Sequence, residues 1–232
     1  PNPENKEAME SITAAVKEAS ADQGIIFDTD VDRAGAVLSD GSELNRNRII
    51  AMLAAILLRE HPGTTIVTDS ITSTGLAKFI EEKGGIHHRF KRGYRNVINE
   101  SIRLNGQGQD SQLAIETSSH GALKENYFLD DGAYLVTKLL IELARGKKEG
   151  YTLESLIASL EEPAESMEFR MNILVDEFKP YGQQVIDELT AYAEAKEGWS
   201  LAPSNYEGVR VNLDENHGNG WFLLRLSLHD PL

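Results

Sequence analysis

Apolar positions recur at two spacings along this chain, and the switches between them mark out its elements. Met9, Ile12, Val16 and Ala19 share a helical face, which predicts a helix over 4–20. Asn2, Pro3 and Glu4 offer it an N-cap, a first-turn proline and a first-turn acid. An apolar strand over 24–27 follows. Ala34–Leu38 reads as a strand returning from it, closed by the turn Asp40-Gly41. Ile49, Ile50, Leu53, Ile56 and Leu57 form the buried side of a helix over 45–60, which His61-Pro62-Gly63 ends. A strand over 64–68, a helix over 73–83 and a strand over 86–90 then make a βαβ unit, hence a parallel sheet. A helix over 94–104, a glycine-bearing loop over 105–110, a short strand over 112–115 and a long helix over 131–145 extend the same α/β pattern.

Beyond a hydrophilic link at 146–150 the pattern changes. A short helix over 152–160 is broken by Glu161-Glu162-Pro163. Residues 167–175 alternate in places, as a strand does. A helix over 179–196 precedes two strands, 206–213 and 221–226, joined by a turn at 216–220. Two hairpin-linked strands after a helix predict a small α+β domain. The expected organisation is the tail of one α/β domain (1–42), a complete α/β domain with a mixed or parallel sheet (43–146), and a C-terminal α+β domain (163–232). The chain opens at Pro1 without methionine and stops at Leu232 directly after a polar cluster, which suggests a piece of a longer protein.

Composition narrows the chemistry. The chain has 232 residues, of which 41% are hydrophobic, enough for a sizeable core. Its apolar runs are too short to span a membrane, and the opening residues do not read as a secretory leader. Cysteine is absent, which removes disulfides, cysteine metal sites and thiol nucleophiles. These features suit the cytoplasm. A formal net charge of −14 argues against a nucleic-acid partner. It still permits a small phosphorylated substrate, because local arginines and a bound cation can make a positive pocket.

Four clusters carry candidate chemistry. In Ile25-Ile26-Phe27-Asp28-Thr29-Asp30-Val31-Asp32-Arg33, an apolar strand ends in three alternate aspartates and an arginine. Three crowded carboxylates repel one another, and a hard cation such as Mg²⁺ would relieve that repulsion. The arginine fork suits phosphate. A calcium EF-hand loop fails here, because Arg33 and Ser39 stand where Gly and Glu are needed. A haloacid-dehalogenase-type phosphatase loop, with Asp28 as nucleophile and Asp30 as acid/base, fits except at Asp32. The loop Asp-x-Asp-x-Asp-Arg of the phosphohexomutases fits all four charged residues, and a solvated acidic turn is the plainest alternative. Glu116-Thr117-Ser118-Ser119-His120 could hydrogen-bond sugar hydroxyls, or be an ordinary turn after a strand. Asp130 would most simply cap the next helix. Lys91-Arg92-Gly93-Tyr94-Arg95 could bind an anion at a helix start, or be a solvated basic face. Arg225 and Ser227, two apart on an extended strand, face one way and could hold phosphate; exposed edge strands often carry the same pair.

The order of these clusters makes them specific. Over essentially its whole length the chain resembles the α-D-phosphohexomutases, the phosphoglucomutase and phosphomannomutase superfamily. In that family a metal loop closes domain two, a Glu-x-Ser-Gly-His sugar loop lies in domain three, and an Arg-x-Ser phosphate loop lies in domain four. Residues 28–33, 116–120 and 225–227 repeat that order. The resemblance implies phosphoglucomutase-like α/β domains followed by a TATA-binding-protein-like C-terminal domain. It implies reversible phosphate transfer between the 1- and 6-positions of a hexose, through an enzyme phosphoserine and a hexose 1,6-bisphosphate. Asp28, Asp30 and Asp32 would ligate Mg²⁺, and Arg33 would contact the phosphoryl region. Glu116 and Ser118 would read the sugar, while Lys91 and His120 would serve proton transfer or charge stabilisation. Arg225 and Ser227, with His229 as an extra ligand, would hold the idle phosphate. The departures are Ser119 for the usual Gly, Thr29 for another Gly, and Leu228-His229-Asp230 after the phosphate pair. The family's Ser-His-Asn-Pro-like nucleophile loop has no counterpart here, so this chain alone is expected to be inactive. Without that resemblance, a dehalogenase-type phosphatase or a non-catalytic sugar-phosphate-binding module would account for the same residues.

Overall fold

In the computed structural model, which describes Pro3 and residues 5–227, the opening helix α1 spans Lys6–Ala19 and is capped by Asn5, whose side chain accepts the Ala8 N–H at 3.0 Å. Asn2, the cap expected from sequence, lies outside the described residues. Two compact units divide the chain, Pro1–Glu162 and Pro163–Leu232.

In the first unit, β1 (Gln23–Phe27), β2 (Ala34–Leu38) and the short β3 (Glu43–Leu44) form an antiparallel sheet. The β1–β2 register closes at Phe27 opposite Ala34, so residues 28–33 are its hairpin loop. Met9 and Val16 of α1 bury themselves with Val37 against this sheet. Helix α2 (Arg46–Glu60) buries Ala51, Met52, Ala54 and Leu58 besides the five residues expected. Apolar all round, it is an interior helix.

The second sheet of this unit has the order β5-β4-β6-β7, with β4 (Thr65–Thr68), β5 (Ile86–Arg89) and β6 (Ser111–Ile115) parallel and β7 (Gly121–Leu123) antiparallel to β6. The sheet is mixed. Successive strand residues point to opposite faces, and both faces are covered. Ile66 meets α2, α3 (Thr74–Glu82) and α5 (Gly132–Glu149) on one side, while Val67 meets α4 (Tyr94–Gly106) on the other. The chain runs from β4 out to β5 and then back across to β6. In sheets wound this way, ligand sites lie beyond the carboxyl ends of the strands where the order reverses. Residues 116–120 leave β6 at that edge. The helix expected over 152–160 shortens to α6 (Leu153–Leu156).

In the second unit, α7 (Phe178–Ala195) packs on an antiparallel sheet of β8 (Trp199–Leu201), β9 (Val209–Leu213) and β10 (Trp221–Leu224). The small α+β domain is therefore present, with one strand more than expected. Residues 167–175 form no strand in the described structure, and Leu174 is 93% exposed. Alternation without a neighbouring strand does not make a sheet, and the segment stays irregular. Among the described residues no helix is long and apolar enough to cross a membrane.

Candidate active site

The aspartate loop is closed by its own arginine. Asp28 donates its N–H to the Arg33 carbonyl at 3.3 Å. Arg33 returns its N–H to Asp28 Oδ1 at 3.2 Å and its Nε to Oδ2 at 2.8 Å. Burial alone would raise the Asp28 carboxyl; the two hydrogen bonds and the charge of Arg33 outweigh it and hold the group below the ordinary aspartate range. Asp32 moves the other way. Burial and the nearby carboxylates of Asp130, Asp28 and Asp30 raise it, against the pull of His120. Arg33 Nε is 3.9 Å from Asp32 Oδ1, too far for a hydrogen bond.

Asp28, exposed Asp30 and Asp32 each bring a carboxylate oxygen within 4.8 Å of the others. Asp32 Oδ1 is buried and accepts no hydrogen bond. A crowded all-oxygen set with one idle buried acceptor fits a hard divalent cation. Val31, between the aspartates, has a φ of 68°, a left-handed conformation rare for a β-branched residue.

The second loop is equally tight. Glu116 donates its N–H to the His120 carbonyl at 2.9 Å, and Ser119 donates to the Glu116 carbonyl at 3.0 Å. The Glu116 carboxylate accepts the Gly93 N–H at 2.6 Å and the Ser118 hydroxyl at 3.2 Å. The fold thus brings the 91–93 segment to the sugar-reading candidate. Lys91 itself is exposed, its Nζ 5.7 Å from the centre of the Phe90 ring.

The two loops meet. Arg33 and His120 pair through an antiparallel backbone bridge. His120 Nδ1 lies 2.8 Å from Asp130 Oδ2 and 3.6 Å from Asp32 Oδ2, and its ring stacks on Tyr94 with centroids 4.9 Å apart. Burial would lower its pKa; the hydrogen bond and charge of Asp130, with Asp32, raise it above the ordinary histidine value. Asp32, His120 and Asp130 also converge closely enough to ligate a metal, but His120 and Asp130 already share a proton there. Asp130 was expected to cap α5 and does not. Asp131 does, accepting the Tyr134 N–H at 3.0 Å, while Asp130 binds His120 and takes the Gly121 N–H at 2.9 Å. The next residue, Gly132, donates to the Val31 carbonyl at 3.2 Å. A Cβ on Gly132 would lie 2.9 Å from Val31 O and from the Arg33 carbonyl carbon, so only glycine fits beneath the aspartate loop.

Comparison with known proteins places this pair of loops. Residues 45–163 match the model of phosphoglucomutase/phosphomannomutase alpha/beta/alpha domain III, and residues 1–41 match that of domain II. The chain belongs to the phosphoglucomutase/phosphomannomutase family. Among the relatives of this family, a phosphomannomutase/phosphoglucomutase of Pseudomonas putida is 32% identical over 100% of the chain, which covers 46% of that protein. A phosphoglucomutase of Neisseria gonorrhoeae is 30% identical, again over 100% of the chain and 47% of the relative. The chain thus spans about half the length of the curated relatives it matches. A crystal structure of a phosphoglucomutase/phosphomannomutase family protein from Burkholderia thailandensis superposes with a TM-score of 0.77 at 28% identity, covering 98% of this chain and 44% of that one.

Against the family motif, Ser119 stands where Gly is usual, yet its φ is 74°, so the serine keeps the left-handed conformation that glycine favours. In the second unit, Arg225 and Ser227 follow β10, which ends at Leu224, and both are half-buried off the strand. Gly208, at a φ of 59°, lies under this segment; a Cβ there would strike the Leu224 carbonyl oxygen and come within 2.8 Å of Arg225 Cα. His229 lies outside the described residues. The sequence reading missed Asp130 as the partner of His120 and Tyr94 as its stacking surface. The adjacent pair Asp130-Asp131 carried the signal, since a helix start has room for one capping carboxylate.

Proposed function

We propose that the chain is the cation- and sugar-holding part of a phosphohexomutase. The longer protein would move a phosphate reversibly between the 1- and 6-hydroxyls of glucose or mannose, in the cytoplasm. The observation that carries this reading is the Arg33–His120 bridge, which sets a carboxylate loop suited to Mg²⁺ against a loop suited to sugar hydroxyls.

Bound Mg²⁺ would offset the negative charge of the transferring phosphoryl group. Asp28, Asp30 and Asp32 supply oxygen ligands for it. Arg33, its Nε tied to Asp28, sets a guanidinium charge beside the aspartate loop, where it would meet the phosphoryl oxygens. Glu116 accepts from sugar hydroxyls, and the Ser118 oxygen, its hydrogen turned to Glu116, accepts as well, so the pair would read sugar hydroxyls in either orientation. His120 commits Nδ1 to Asp130 and presents Nε2 to take a proton from, or return it to, the reacting hydroxyl. Asp130 fixes the ring and steadies the imidazolium. Lys91 adds positive charge near the transfer. Arg225, Ser227 and His229 hold the phosphate that is not reacting. Hexose 1,6-bisphosphate is the expected intermediate and primer. With no Ser-His-Asn-Pro-like loop in this sequence, the nucleophilic serine comes from elsewhere and the chain alone does not turn over.

A dehalogenase-type phosphatase would need Asp28 as nucleophile. Both Asp28 oxygens already accept from Arg33, and the side chain is 2% exposed, which disfavours in-line attack. The two are separated by ³¹P NMR with glucose 1-phosphate, Mg²⁺ and a trace of glucose 1,6-bisphosphate, using this chain beside the longer gene product. Glucose 6-phosphate is expected only with the longer protein. Release of inorganic phosphate by the chain would reinstate the Asp28 phosphatase and remove the mutase reading.

A further inference from the structure

One buried acid beside the sugar loop has no part in the mechanism above. Asp69 is the first residue after β4 and is fully buried. Its own backbone is fixed, because its carbonyl accepts the hydroxyls of Thr68 at 3.3 Å and Thr72 at 3.1 Å. Across the gap between the ends of β4 and β6, Oδ1 accepts the Thr117 N–H at 3.3 Å and Oδ2 accepts the Thr117 hydroxyl at 2.8 Å. The charged groups that act on Asp69 are Glu116 of the same loop, Arg92 after β5, and Arg89 at the end of β5.

Thr117 stands between the two residues that read the sugar. The N–H groups of Glu116 and Ser119 are satisfied inside the loop, and the Glu116 carboxylate is held by Gly93. Asp69 supplies the remaining anchor from a different strand. A fully buried carboxylate is an expensive partner for one amide and one hydroxyl, and an apolar residue at this place would cost the fold less.

We propose that Asp69 is a positioning residue for sugar recognition: by gripping Thr117 it sets the orientation at which Glu116 and Ser118 meet the hydroxyls of a hexose phosphate. The inference rests on the mutase reading of the 116–120 loop and adds a residue from outside it.

The test follows Glu116–His120 amides by NMR in this chain, as wild type, Asp69→Ala and Asp69→Asn, measuring hydrogen exchange and titrating glucose 1-phosphate with Mg²⁺. Asn keeps an acceptor for the Thr117 N–H and a donor for its hydroxyl. Asp69→Ala should speed Thr117 exchange and weaken glucose 1-phosphate binding, each by about tenfold, as loss of one to two hydrogen bonds predicts. Amides of Leu113 and Ala114 in β6 should stay protected, and Asp69→Asn should restore both readouts. If Asp69→Ala does not fold, Thr117→Val, which deletes only the hydroxyl, should weaken binding about threefold. A loosened loop with unchanged affinity overturns the inference and leaves the mutase reading intact. Failure of Asn to rescue overturns it too, since the charge rather than the grip would then matter. A wild-type chain whose 116–120 amides ignore glucose 1-phosphate removes the mutase reading of this loop, and the inference with it.

Discussion

Two buried aspartates in this chain solve the same electrostatic problem in opposite ways. Asp28 lies at the end of β1 and meets a full positive charge, with Arg33 Nε 2.8 Å away. Asp69 lies at the end of β4, and its direct donors are a neutral amide and a neutral hydroxyl of Thr117. Asp28 is accordingly held below the ordinary range, while burial pushes Asp69 up to about 7. Asp69 is the more deeply desolvated, and its two neutral donors do not offset that cost; at Asp28 the hydrogen bonds and charge of one guanidinium do. Asp28 therefore helps to hold its loop closed, and Asp69 weakens the fold at neutral pH while anchoring Thr117.

The largest effect should come from Asp69. Its folded value of about 7 lies above the ordinary 3.8. Between those two values the folded state keeps a proton that the unfolded state has lost, so stability falls as pH rises through this window and levels off above it. The slope is at most about 1.4 kcal/mol per pH unit. Asp69→Asn removes it. Urea midpoints at pH 5 and pH 8 should show the variant gaining on wild type at the higher pH; a pH-independent difference would mean that Asp69 is not the titrating group.

Arg33→Ala sharpens the comparison by making Asp28 resemble Asp69. It leaves a buried carboxylate without its cation and should cost roughly 2–3 kcal/mol at pH 7 by urea unfolding. Because Arg33 holds the Asp28 carboxyl below its ordinary value, the stabilisation is fully present above that value and is lost as pH falls below it. The gap between wild type and variant should close on acidification. A gap that persists at pH 2 would point to lost packing instead.

Much of this was readable from the sequence where the cause was local. The aspartate loop and its arginine span six consecutive positions, and α2 announced itself through Ile49, Leu53 and Ile56. What depended on distant partners was not readable. Thr117 is a long way along the chain from Asp69, and neither residue hints at the other. Strands β3, β7 and β8 are two or three residues long, and pairing with a neighbour defines them rather than any pattern of their own. Residues 167–175 show the converse, a strand-like alternation that joins no sheet. The cap falls on Asp131 and not on Asp130 because the cap and the partner of His120 are adjacent carboxylates, and helix starts are uncertain by a residue from sequence alone. The Ser119 departure affects the backbone less than its identity suggests.

Gly132→Ala tests the contact between the two loops from the helix side. The added methyl meets the backbone of Val31 and Arg33 at 2.9 Å, so either α5 or the aspartate loop must shift. A cost of about 2 kcal/mol is expected, with weaker Mg²⁺ binding measured by calorimetry. A variant that loses stability but binds Mg²⁺ as wild type does would show that the carboxylates are positioned without Gly132.

Val31→Gly should have the smallest effect and the opposite sign. A left-handed conformation costs an L residue roughly 1–2 kcal/mol, and glycine escapes that cost. Glycine also gives the unfolded chain more freedom, which returns about 1 kcal/mol of the gain. Val31 is 40% exposed, so its side chain surrenders little buried area. The net expectation is a rise of about 0.5 kcal/mol in the urea midpoint analysis. Mg²⁺ affinity should stay within about twofold, because Arg33 and Gly132, not the Val31 side chain, fix the carboxylates. A fall in stability would mean that the valine methyls contribute contacts worth more than the strain. A large loss of Mg²⁺ affinity at unchanged stability would mean that the strained residue itself holds the aspartates in register, and the rigidity of this loop would then owe less to Arg33 than the comparison with Asp69 implies.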